Sequence, residues 1–130
     1  MVTAIVDIET DSLDATQIHC IVACDYATGK EKVWVQDECK EFASWSKMID
    51  KFIMHNGISF DAPVLNRLTG SSIKPSQIRD TLIESQLYNP IRDKGHSLKA
   101  WGERFNFPKG DFTEFEYYTP CLLYTSPSPR

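Results

Sequence analysis

Three strand-length apolar segments fall within the first 36 residues, joined by links too short to hold a helix. Val2–Ile8 is almost continuously apolar and rich in β-branched residues, the pattern of a central strand covered on both faces. Asp11–Thr16 is polar and predicts a loop. Gln17–Tyr26 predicts a second strand, followed by an Ala27–Lys30 turn in which Gly29 is free to take a positive φ. Glu31–Gln36 alternates polar and apolar residues, as a half-covered strand does. Links this short force an antiparallel meander.

The period then changes. Within Glu38–Lys51 and just past it, Phe42, Trp45, Met48, Ile49 and Phe52 recur at three- and four-residue steps, which predicts one apolar helix face. Phe52–His55 predicts a fourth strand. Asp61–Leu68 predicts a helix with Pro63 in its first turn and Gly70 as its stop, and Ser71–Gln77 a loop. Thr81–Tyr88 and Ser97–Phe105 predict two more helices, separated by the Asn89-Pro90 break and the basic stretch Arg92–His96. The 130 residues show no internal repeat and suit one α/β domain with a mixed sheet flanked by helices.

Composition narrows the class. With 42% hydrophobic and 25% charged residues, the chain is neither disordered nor fibrous. No apolar run approaches the ~18–20 residues of a membrane span. The opening MVTAIVDIETD has no basic lead and soon turns acidic, unlike a secretory signal. Cys20, Cys24, Cys39 and Cys121 form no C-x-x-C pair, so reduced thiols and a cytoplasmic setting (the host's, for a virus) are expected. Cys20 and Cys24 share a strand face with no matching His/Cys pair, which argues against zinc. Residues 1–65 hold five basic and eleven acidic side chains, net −6, while residues 66–130 hold nine and seven, net +2. A uniformly basic coat for nucleic acid is therefore absent, but an acidic half suits a cation.

Two segments carry chemistry. In Asp7-Ile8-Glu9 the two carboxylates fall on one strand face, with Cα atoms about 7 Å apart. Such a pair bridges hard cations such as Mg²⁺ or Mn²⁺, or is simply a solvated strand end. In His55-Asn56-Gly57-Ile58-Ser59-Phe60-Asp61 a strand ends, a glycine permits a sharp turn and a helix begins. Asp61 either caps that helix or, if the fourth strand lies parallel beside the first, faces Asp7 and Glu9. Three converging carboxylates repel one another unless a metal binds, and paired divalent ions are the usual solution in nucleases.

The ordered segments D-I-E, H-N-x-x-x-F-D, R-D-T and H-S-L-K-A-W-G resemble the 3′→5′ proofreading exonuclease domain of family A DNA polymerases of the phage type, from about Val2 to Pro120. The resemblance implies a ribonuclease-H-like fold of the DEDD group and removal of nucleotides from single-stranded DNA 3′ ends beside a polymerase domain. It implies two Mg²⁺ ions, with Mn²⁺ as a substitute, on Asp7, Glu9 and Asp61. It also implies substrate contacts from Ile8, Asn56, Phe60 and His96. The family's third motif, a Tyr or His followed four residues later by the fourth carboxylate, is expected just past Thr119-Pro120. CLLYTSPSPR contains no acidic residue, and Tyr124 is followed at position 128 by Ser. Residues 1–120 therefore resemble a C-terminally incomplete exonuclease domain with at most weak activity, and 121–130 read as a non-native-looking Ser/Pro tail.

Arg79, Arg92, Lys94, Lys99 and Arg104 are the expected phosphate contacts, and Leu13, Ile58 or Phe60 the expected apolar contacts to a terminal base. Asp80-Thr81 is expected to cap the next helix or to support the metal site. Trp34, Trp45 and Trp101 are assigned to packing. Two alternatives remain: an RNA-trimming DEDD exonuclease, since only contacts to the 2′ position separate the substrates, and a catalytically dead nucleic-acid-binding domain.

Overall fold

The computed structural model describes residues 1–106. The expectations for Thr119-Pro120, Cys121, Tyr124 and the 121–130 tail lie outside the described residues. A five-stranded sheet is ordered β3-β2-β1-β4-β5, from β1 (Thr3–Thr10), β2 (Ile18–Asp25), β3 (Glu31–Val35), β4 (Lys51–Met54) and β5 (Ile78–Asp80). β1 pairs antiparallel with β2 and parallel with β4, β2 antiparallel with β3, and β4 parallel with β5. Only β2 runs against the rest, which is the ribonuclease-H-like arrangement. The meander and the parallel fourth strand are as the apolar runs predict.

The helices are α1 (Phe42–Ser46), α2 (Ala62–Thr69), α3 (Thr81–Tyr88) and α4 (Leu98–Arg104). Their placement follows local chemistry. Pro63 sits in the first turn of α2, and Gly70 closes that helix at φ 83°. Asp80 and Ser97 cap α3 and α4 through their side chains.

Two expectations are corrected. The helix predicted over Glu38–Lys51 is a 3-10 turn at Gln36–Glu41 followed by α1 alone. Met48 is 63% exposed, and Phe52 belongs to β4. Trp34, Phe42 and Trp45 explain why: they cluster edge-on, with Phe42 5.3 Å and Trp45 5.0 Å from Trp34, and anchor the short helix without Met48. The second correction is β5. It lies in a segment between loop and helix that gave no strand signal, because three residues are too few to show alternation.

Ala4, Val6 and Ile8 of β1 bury against Ile21, Trp34, Phe42, Phe52, Val64 and Leu65. This core lies on one side of the sheet, under α1 and α2. On the other side Ile5, Val22 and Val33 remain partly exposed. Asp7 and Glu9 alternate with the core residues and so share the side of Ile5. Among the described residues, no helix is long and apolar enough to cross a membrane.

Candidate active site

β1 is the central strand, and its parallel pairing with β4 ends at Ile5↔Ile53. Both strands therefore exit at the same edge of the sheet, β1 carrying Asp7 and Glu9 and β4 running into His55 and Asn56. The arrangement predicted for the two segments, parallel and adjacent, is present. Asp7 is half-buried, Glu9 is 8% exposed and Asp61 is fully buried.

The turn that brings Asp61 in is unusual. Asn56 is left-handed at φ 65°, and Gly57–Asp61 forms a single wide helical turn leading into α2. Wide turns of this kind recur at functional sites. Asp61 itself is helical at φ −60° and makes no side-chain capping bond to α2. Asp61 is therefore not the side-chain cap of α2. Asp7, Glu9 and Asp61 are hard oxygen donors of the type Mg²⁺ and Mn²⁺ prefer. Among the described residues, no group of three or more His, Cys, Asp or Glu side chains is drawn together closely enough to hold an ion. The donor chemistry suits a metal, but the three carboxylates are not closed around one point.

The other predicted site residues fall into place unequally. Asn56 accepts from the Phe60 amide through its carbonyl and donates its own amide to Asp80 Oδ1 at 2.9 Å. Phe60 packs against the hydrophobic core. Ile8 is 1% exposed and belongs to that core, so its side chain has no surface to offer a ligand. His96 has both ring nitrogens engaged, Nδ1 with Ser85 Oγ at 2.7 Å and Nε2 with the Pro90 carbonyl at 3.0 Å. Leu13 is exposed on the loop after β1.

The predicted phosphate-binding cations are mostly occupied. Arg79 grips Glu84 through two bonds, of 2.7 and 3.1 Å, and this ion pair raises the guanidinium above its ordinary range. Arg92 and Arg104 each lie 4.7 Å from the Trp101 ring centre. Arg104 also donates to the Gly95 carbonyl, and Lys94 pairs with Glu103 at 3.7 Å. Trp101, assigned to packing, holds α4 to α3 by donating Nε1–H to Ser85 Oγ at 2.8 Å.

The loop beyond Glu9 is tied down by Asp11. Its carboxylate accepts from the Thr16 hydroxyl and from the Thr16 and Gln17 amides. These bonds, the Thr16 hydroxyl first, lower its pKa from 3.8 to about 2. A depressed carboxylate stabilises the fold fully above 3.8, and that contribution is lost as pH falls through about 2. NMR titration of the side-chain carboxyl is expected to give a midpoint near 2 for Asp11, moving up toward 3.8 in Thr16→Ala.

No family model and no curated protein sequence matches the chain. Among solved structures, the chain is similar to a family B DNA polymerase from the hyperthermophilic archaeon Pyrobaculum calidifontis, at 17% identity and a TM-score of 0.42. That match covers 55% of this chain and 11% of the polymerase chain.

Proposed function

We propose that residues 1–106 form part of a metal-dependent 3′→5′ exonuclease domain acting on DNA 3′ ends, the proofreading portion of a DNA polymerase. The observation that supports this most is topological: β1, which carries Asp7 and Glu9, runs parallel beside β4, which leads through the left-handed Asn56 into the turn that ends at the buried Asp61. The reaction is hydrolysis: water adds to the terminal phosphodiester, the bond to the preceding 3′ oxygen breaks, and a 5′-mononucleotide leaves. A bound Mg²⁺ or Mn²⁺ supplies the positive charge that acidifies the water and stabilises the leaving oxygen. The chain's own contribution would be to present the carboxylates of Asp7, Glu9 and Asp61 from parallel neighbouring strands and the turn after β4. Asn56, whose side-chain amide stands beside this turn, is the candidate for orienting the terminal nucleotide. Discrimination against a mispaired end then arises because an unpaired terminus enters the site without the energy of melting a matched pair.

The test couples metal binding to cleavage. Mn²⁺ affinity, read by water-proton relaxation, is expected to fall about tenfold or more in Asp7→Asn and in Asp61→Asn. That corresponds to roughly 1.4 kcal/mol per lost ligand. Release of labelled 3′ nucleotides from single-stranded DNA is expected to be slow, Mn²⁺-dependent and abolished by either substitution. Equal DNA binding with and without metal, with Mn²⁺ affinity unchanged by Asp61→Asn, would instead identify a binding module. Parallel digestion of matched RNA and DNA oligomers separates the RNA-trimming alternative.

A further inference from the structure

Asp80 does more than cap a helix. It ends β5, the strand beside β4, and is only 5% exposed. Its Oδ1 accepts from the Leu82 amide at 3.0 Å and the Ile83 amide at 3.4 Å, which is the cap of α3. The same carboxylate also reaches across to the turn after β4. Oδ1 accepts from the Asn56 amide at 2.9 Å, and Oδ2 from the Ile58 amide at 3.1 Å. A cap requires only the first pair. The second pair holds the left-handed residue and the start of the wide turn whose last residue is Asp61.

Thr81 adds a parallel link. Its hydroxyl donates to the Met54 carbonyl at 3.3 Å, which leaves the oxygen to accept from His55 Nδ1 at 2.9 Å. Asp80 and Thr81 together hold the backbone at Met54, Asn56 and Ile58, and the His55 side chain between them. Asparagine tolerates the left-handed region better than other non-glycine residues, and contacts to the neighbouring amides fix Asn56 there. A carboxylate accepting two amides of that turn is such a contact, because bonds to a charged acceptor are about twice as strong as neutral ones.

We propose that Asp80 is the positioning residue of the candidate active site: its carboxylate clamps the Asn56–Ile58 turn and so sets Asp61 at the sheet edge beside Asp7 and Glu9. The role rests on the exonuclease reading of that edge. It acts through the backbone of the turn, with no contact to substrate.

Asp80→Ser separates the two jobs. Serine is as good a helix cap as aspartate, yet its single short hydroxyl cannot span to Asn56 and Ile58. Wild type, Asp80→Ser and Asp61→Asn are compared for Mn²⁺ affinity, for thermal midpoint and for amide exchange at Asn56 and Ile58. Asp80→Ser is expected to keep its thermal midpoint within a few degrees, to lose protection at both amides and to bind Mn²⁺ about tenfold more weakly. Asp80→Asn, which retains one acceptor oxygen, is expected to fall between. Wild-type Mn²⁺ affinity in Asp80→Ser, with affinity lost in Asp61→Asn, overturns the positioning role and leaves the site standing. Wild-type affinity in both variants, or no Mn²⁺ binding by the wild type, overturns the site itself, and the positioning role falls with it.

Discussion

Gly57→Ala will unfold the turn that carries Asp61, and with it much of the domain's stability. A Cβ at Gly57 would lie 2.3 Å from Met54 Cβ, 2.5 Å from its Sδ and 2.9 Å from its Cγ. Side-chain atoms far out on a flexible chain move aside easily, but a Cβ moves only with its backbone. Met54 is 2% exposed and paired to Asp80 in the β4–β5 ladder, so that backbone is fixed. Either β4 shifts out of register with β5 or the wide turn is abandoned. Forcing extra atoms into a packed core costs about 1–3 kcal/mol, and this site stands at the upper end because no rotamer relieves the contact. Urea unfolding is expected to show a midpoint lowered accordingly, and Mn²⁺ affinity is expected to fall in the fraction that stays folded. Met54→Ala removes Sδ and Cγ but keeps the nearest atom. It is therefore not expected to rescue Gly57→Ala, and rescue would show that the clash is with the thioether alone.

Phe42→Ala is expected to have the largest effect on stability, about 3–5 kcal/mol. Phe42 is completely buried and meets the Trp34 ring edge-on, with planes 86° apart and centres 5.3 Å apart. Its centre is 5.7 Å from that of Trp45. The ring begins α1, a helix of five residues with no side-chain cap. A helix that short has no independent stability and exists because its aromatic residues are packed. Removing the ring leaves a cavity between β3 and α1 and removes the reason for α1 to be helical. Chemical denaturation should give the lowered midpoint with an unchanged slope. Circular dichroism in the folded baseline should lose only the small α1 signal. A loss below about 1 kcal/mol would mean that Trp34 and Trp45 close over the gap, and that the aromatic trio is not a mutually supporting unit.

The sequence was legible where one physical signal dominated. The three-stranded meander was readable because its links are short and its apolar residues alternate or run continuously. Thr81–Tyr88 was readable to the residue, since Asp80 before it and Asn89-Pro90 after it are strong boundary signals. The Glu38–Lys51 helix was misread because Met48 and Ile49 keep the right spacing while the chain is already turning toward β4. β5 was invisible, its three residues being recruited by the exposed edge of β4 rather than by their own pattern. At the site, residue types and order pointed to Asp7, Glu9 and Asp61, and the topology brings their strands to one edge. What spacing could not reveal is the dual use of Asp80, since a helix cap and a long-range clamp look the same in sequence. Nor could it distinguish Ile8 as core from Ile8 as substrate contact, because a buried strand residue and a residue between two ligands occupy the same position.

The neighbours of β1 differ sharply in how far away they are along the chain. β2 follows it directly, but β4 arrives only after β2, β3, the 3-10 turn and α1, and the Val2 amide closes onto Asp50 Oδ2 across 48 residues. Closing so long a loop is slow compared with zipping a hairpin. During refolding the meander should therefore acquire protection from exchange first, with β4 and β5 docking afterwards. The turn that carries Asp61 follows β4 and is fixed only when that docking is complete, so the position of Asp61 would be the last feature the chain acquires and the first it loses under stress.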